Sequence, residues 1–191
     1  MADDSALIDR VLAGDRDAFE SLVRAHQHRV YTLLYRLLRD RETAQDLTQE
    51  VFLKVYQRLA DLKERNKLGA WIMQVAHNLG LDHIKKRRVD AFSADFADEL
   101  TEQRVHGSLS STPIESPEEI VLKMTPGTLS TLIDGLDIKY REVLTLRFVQ
   151  GFAFQDIAKI MGLPLTTVKF RKHYAMQILK EKWLETEESR R

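Results

Sequence analysis

The chain has 191 residues, with 29 Lys and Arg set against 29 Asp and Glu, and no cysteine. That length makes one domain or two small ones and can bury a core without staples. The lack of cysteine excludes a disulfide framework, a thiolate metal site and a cysteine nucleophile, and a formal net charge of zero argues against a simple phosphate binder.

No apolar run approaches the ~20 residues of a membrane span. Met1-Ala2-Asp3-Asp4 lacks the basic stretch and apolar run of a signal peptide. The expected location is therefore the cytoplasm.

In chain order, the first periodic stretch is Ala18-Phe19, Leu22-Val23, His26 and Val30, continued by Leu33-Leu34 and Leu37-Leu38. Steps of three and four residues predict an amphipathic helix. A second helix is expected from about Glu42 to Leu59, with Leu47, Val51, Val55 and Leu59 four apart. A third is expected from about Ala70 to Arg88, with Trp71-Ile72, Val75-Ala76, Leu79 and Ile84 on its apolar side. Between them Asp61–Gly69 reads as a polar loop. No period-two alternation long enough for a sheet is present, so the fold is expected to be all-α.

Residues 89–115 change in texture. Gly107-Ser108-Leu109-Ser110-Ser111-Thr112-Pro113 is turn and linker chemistry. Residues 1–88 carry 16 basic and 13 acidic side chains, 89–119 carry one and eight, and 120–191 carry 12 and eight. The zero net charge thus averages two mildly basic parts and an acidic one. The segmentation is 1–88 as one small helical domain, 89–115 as a flexible acidic linker, and 116–191 as a second helical domain.

Ser116-Pro117-Glu118-Glu119 has the form of a helix start. Pro126-Gly127 should kink or end that helix, with another resuming to Ile133. Asp137 can cap the following Tyr140–Phe148 helix, which Gly151 ends.

The segment Phe154–Lys172 carries the pattern of a helix-turn-helix. Ile157, Ala158 and Met161 share one face, Ala158 is small where a second helix crosses, Gly162 supplies the turn, and Leu163 and Val168 fill the joint. The second helix displays Thr166, Thr167, Lys169, Phe170, Arg171, Lys172 and His173. The polar members of that set can reach phosphates or base edges in a major groove.

Two segments together resemble a known family. They are Ala44-Gln45-Asp46-Leu47-Thr48-Gln49-Glu50-Val51-Phe52-Leu53-Lys54-Val55-Tyr56 followed by Trp71–Leu79, and Tyr140-Arg141-Glu142-Val143-Leu144 leading into the helix-turn-helix. Gly14-Asp15 and Ala18-Phe19 also fit. The order is similar to that of the extracytoplasmic-function alternative sigma factors, promoter-specificity subunits of bacterial RNA polymerase.

The resemblance implies a division of labour. Asp46, Gln49 and Glu50 match positions that dock on the clamp helices of core polymerase, and at i, i+3 and i+4 they share one helix face. The 61–69 loop and the next helix match the part that reads the melted downstream (−10) element, where a base is extruded from the non-template strand at an unstacking cost of a few kcal/mol. Lys63, Arg65, Asn66 and Lys67 suit backbone and base-edge contacts there, and Asn78 matches a polar position beside the pocket. Trp71 is assigned to the core. Lys85, Lys86, Arg87 and Arg88 would hold phosphates. The helix-turn-helix would read the upstream (−35) element as duplex, with Lys169 and Arg171 at the family's usual contact positions.

Departures from the family pattern stand at Phe170, Lys172, Tyr174 and Met176. Ala153 also replaces the usual Ser cap, a loss of about 1 kcal/mol in typical hosts. Phe170 is positioned for a thymine methyl. The acidic linker would thread the polymerase cleft, with Asp95, Asp98, Glu99 and Glu102 on basic surfaces there. Promoter DNA, core polymerase and an anti-sigma factor are the implied partners, the last possibly holding the chain at the inner membrane face, and no cofactor or metal is implied.

Two other classes compete. No His-Glu metal motif, glycine-rich phosphate loop or hydrolase elbow is present in the sequence, so an enzyme is not expected. A stand-alone helix-turn-helix regulator with an N-terminal ligand or dimerisation domain would bind duplex DNA without polymerase, as a dimer on paired half-sites.

Overall fold

The computed structural model describes residues 4–90 and 124–188, and every described element is helical. The acidic linker, the Ser116-Pro117 helix start and the side chain of Arg88 lie outside the described residues.

The first unit contains α1 (Asp4–Leu12), α2 (Arg16–Leu38), α3 (Arg41–Arg58) and α4 (Leu68–Asp90). Asp15 caps α2 by accepting the Ala18 amide at 3.1 Å. At the other end Arg39 adopts a left-handed φ of 56°, and its N–H donates to the Tyr35 carbonyl at 2.8 Å. Asp40 then caps α3, accepting the Glu42 amide at 3.0 Å and the Thr43 hydroxyl at 2.9 Å. Two residues therefore turn the chain between two long helices. Leu22, Val30, Leu33 and Leu34 of α2, Ala44, Val51 and Val55 of α3, and Leu68, Ile72 and Ala76 of α4 are fully buried. Gly80 lets α4 approach α2. A Cβ there would lie 3.0 Å from a Leu37 methyl and 3.2 Å from one of Leu34.

The predicted helices are present with shifted ends. The second continues as a 3-10 turn, Leu59–Asp61. The third begins at Leu68, because a second 3-10 turn, Arg65–Lys67, already winds the loop. Helix α1 was not anticipated.

The second unit contains α5 (Pro126–Asp134), α6 (Ile138–Leu144), a π turn at Thr145–Val149, α7 (Phe154–Met161) and α8 (Leu165–Glu188). Here the expectation for Pro126 is corrected. Thr125 is the N-cap, its hydroxyl accepting the Thr128 amide at 3.2 Å, and Pro126 opens the helix. Its missing N–H costs nothing at that position. Asp137 does stand at the start of α6, but its side chain caps nothing; its carbonyl accepts the Arg141 amide at 2.9 Å. Gly162 takes φ +64° and ends α7, and the Leu163 amide reaches the Ala158 carbonyl at 3.0 Å.

The two units share a core. Val143, Leu146, Ile157, Ile160, Met161 and Val168 join the cluster built by α1–α4. A smaller cluster inside the second unit holds Ile133, Leu136, Tyr140, Leu144, Ala175, Met176 and Leu179. Polar contacts ring the joint. Arg29 donates to the side chain and carbonyl of Gln150 at 2.8 and 2.7 Å, and its guanidinium lies 4.7 Å from the Phe152 ring centre. Arg141 donates to the Leu136 carbonyl at 2.6 Å and, across the joint, to the Arg36 carbonyl at 2.6 Å. His77 of α4 and Glu142 of α6, each 4% exposed, hydrogen-bond each other through Nδ1 and Oε1.

Gly162→Ala should lower stability by about 1–2 kcal/mol, the cost of a Cβ in the left-handed region. Open space surrounds that position, so no clash adds to it, and the urea midpoint reads the loss directly.

The Thr43 hydroxyl and amide hold the Asp40 carboxyl below its ordinary value of 3.8. A depressed folded value gives stability that is present above the unfolded value and lost as pH falls. Between about pH 5 and pH 2 the native chain should therefore lose more stability than Asp40→Asn, measured as urea midpoints across that range.

Candidate nucleic-acid interface

Three surfaces gather the residues singled out in the sequence. On α3, Asp46 and Gln49 are exposed, and Glu50 is half-exposed with its carboxylate 3.5 Å from the Lys54 ammonium. Leu47, Val51 and Val55 point to the core, as predicted. Leu53 and Tyr56 are 63% and 54% exposed and extend the same outer strip. Sequence reasoning passed over both, although Leu53 falls between the buried positions of the four-residue repeat. An acidic face carrying exposed apolar side chains suits a protein partner better than a phosphate backbone.

The second surface is the loop and the start of α4. Lys63 and Asn66 are exposed. Arg65 is ion-paired with Asp9 of α1, which ties the loop to the helix that the sequence reading lacked. Lys67 is engaged by Asp156 of α7, with Nζ 2.9 Å from Oδ1. The hydrogen bond and charge of that carboxylate raise the Lys67 ammonium above its ordinary value. Trp71 is half-buried: it packs against the core, as assigned, and also walls a cavity of about 170 Å³ with Leu62, Lys63, Lys67, Gln74 and Ile160. Gln74, another residue not singled out, donates to the Lys159 carbonyl at 3.0 Å. Asn78 is exposed one turn beyond Gln74 and does not line the cavity. Lys85, Lys86 and Arg87 project into solvent along the last turns of α4.

The third surface is α8. Thr166, Lys169 and His173 are exposed at i, i+3 and i+7, which makes them one strip. Thr167, Phe170, Arg171 and Lys172 flank it and are half-buried. Phe170 stacks on Tyr174 with ring centres 6.4 Å apart and planes 13° apart, and Tyr174 leans on Tyr140 at 5.1 Å. Ile157, Ile160, Met161 and Val168 close the joint between α7 and α8. Ala153 stands at the α7 N-cap and makes no side-chain bond there, as its chemistry requires.

The structure keeps the α3 strip and the α8 strip apart from the loop, but it presses the loop itself against α7. Among the described residues no His, Asp and Glu group could hold a metal ion, and no helix is long and apolar enough to cross a membrane.

Comparison with known proteins agrees with this layout. Residues 22–89 match the family Sigma-70 region 2, and residues 127–179 match Sigma-70, region 4. The RNA polymerase sigma-H factor of Pseudomonas aeruginosa is 33% identical over 169 residues, 88% of this chain and 87% of that protein. The ECF RNA polymerase sigma factor SigW of Bacillus subtilis is 30% identical over 176 residues, 91% of this chain and 93% of that protein. Among solved structures, CnrH in complex with the cytosolic domain of CnrY superposes with a TM-score of 0.64 at 18% identity, over 96% of this chain and 97% of that one. The sigma factor RpoE in complex with the anti-sigma factor NepR from Bartonella quintana gives 0.60 at 20% identity, over 85% and 94%. Those two likenesses speak to the fold.

Proposed function

The chain belongs to the sigma-70 family, in its extracytoplasmic-function branch, and from that premise we propose that it directs promoter-specific initiation through the three surfaces described above. Asp46, Gln49, Glu50, Leu53 and Tyr56 on α3 bind the clamp helices of core polymerase. The 61–69 loop, with Trp71, Gln74 and Asn78, captures the melted downstream element, and Lys85 to Arg88 hold its phosphates. The α8 strip reads the upstream element as duplex. Chemistry stays with the polymerase; this chain supplies recognition.

The observation that best supports the upstream assignment is the Thr166, Lys169 and His173 strip. It leaves a cation, a hydroxyl and an imidazole free along one edge of a rigid helix, with Phe170 braced beside them by Tyr174. A braced aromatic ring gives a thymine methyl a fixed apolar surface. Each of the two contacts with DNA is weak alone, and polymerase holds both near their targets, so the second becomes effectively intramolecular. An anti-sigma factor is the proposed regulator, since solved relatives of this fold stand in such complexes.

Adding the purified chain to core polymerase should start transcription at a defined set of promoters, read by mapping transcript ends. Tight duplex binding by the chain alone, with no effect on initiation, would instead leave a stand-alone regulator.

Lys169→Ala with His173→Ala should weaken upstream-element binding by the holoenzyme and lower its salt dependence by about one phosphate per lost backbone contact. Core binding by that variant should be unchanged.

Glu50→Ala with Leu53→Ala should do the reverse. It should raise the Kd for core by about tenfold, the size of one good interface contact, in a fluorescence titration. Equal loss in both assays for either variant would contradict the division of labour.

A further inference from the structure

The closed arrangement places α7 where the melted strand would have to lie. Lys67 is the loop cation best placed beside the Trp71 cavity, and its ammonium already has a carboxylate at 2.9 Å. The Gln74 amide is spent on the Lys159 carbonyl at 3.0 Å, and Lys159 in turn reaches Glu64 at 3.6 Å. Ile160 supplies part of the cavity wall. A phosphate arriving here would meet Asp156 and Glu64 as like charges, and a base would find its donors engaged.

We propose that the second unit is an intramolecular competitor of the melted DNA strand, with Asp156 holding the place of a strand phosphate at Lys67 and the buried His77–Glu142 pair as the latch that keeps it there. This rests on the loop's reading as the downstream-element site. The roles divide on physical grounds. The Lys67 and Asp156 side chains are 40% and 16% exposed, and a pair so open to solvent adds little to holding the units together. It blocks without fastening. His77 and Glu142 come from different units and are each 4% exposed. Separating them leaves two polar groups to be solvated afresh, and removing one strands the other in the joint. Arg141 adds a second fastening. Its guanidinium donates to the Arg36 carbonyl in the last turn of α2, where the helix dipole is negative. A chain that binds its strand only when open has its apparent affinity cut by the open fraction.

Because the native chain has no cysteine, Gln57→Cys with Glu181→Cys gives two specific spin labels on exposed positions, one in each unit. Double electron–electron resonance on the free full-length chain should give one narrow distance. Glu142→Ala should add a longer, broader population, with helicity checked by circular dichroism. His77→Ala serves in its place if that variant does not fold. In parallel, fluorescence anisotropy with a labelled 20-nucleotide single strand of mixed sequence should show about tenfold tighter binding by Glu142→Ala, as expected when an open state near a tenth of the population becomes dominant. Asp156→Asn should also gain affinity, while Asp17→Asn, which removes the same charge from an exposed site on α2, should not. A broad distance in the native chain, or a distance unchanged by both latch variants, overturns the proposal. If the units separate and strand affinity stays flat, the latch stands and the reading of the loop falls.

Discussion

Glu142 can be buried only because His77 is beside it. That requirement fixes where the second unit sits on the first. A carboxylate at 4% exposure with no partner would carry a heavy desolvation cost, so the α6 face that presents Glu142 has one favourable seat on α4. Arg141, the preceding residue, then finds the end of α2. Arg29 finds Gln150 and the Phe152 ring. These contacts contribute orientation more than binding strength, because buried polar pairs rarely outweigh well-packed apolar ones. The strength comes from Val143, Leu146, Ile157 and Ile160 entering the core of the first unit.

The spacing of Leu47, Val51 and Val55 was enough to orient α3, because one stripe of branched side chains can face only one way. The helix-turn-helix was equally legible, since Gly162 and Ala158 are dictated by backbone conformation and close approach. Local backbone choices were harder to read. Pro126 looks like a breaker until Thr125 is seen as its cap, and the π turn at Thr145–Val149 has no mark in composition. Helix α1 is too short to show a repeat. At the candidate interface, cations and amides were visible as residue types, but their occupancy was not. That Lys67 is engaged by Asp156, or that Gln74 matters at all, depends on how two segments some 90 positions apart pack, and local periodicity carries no such information. His77, Arg141 and Glu142 were passed over for the same reason.

The charge balance also changes meaning once the units are docked. A total of zero hides exposed cations on α4 and α8 and carboxylates at the joint. Asp156 and Glu64 lower the potential where single-stranded DNA would arrive, while Lys169 and the end of α4 keep theirs. Such a chain is expected to have little appetite for free DNA and to gain it when a large partner draws the units apart.

The shared apolar seam has one more consequence. Apolar burial weakens on cooling, whereas hydrogen bonds and ion pairs follow a different course. A joint fastened by Val143, Leu146 and Ile157 as well as by polar contacts therefore has a closing energy that depends on temperature. Cold shifts the free chain toward its parted form without any change in partner or ligand, so its readiness to engage polymerase carries a built-in thermal bias.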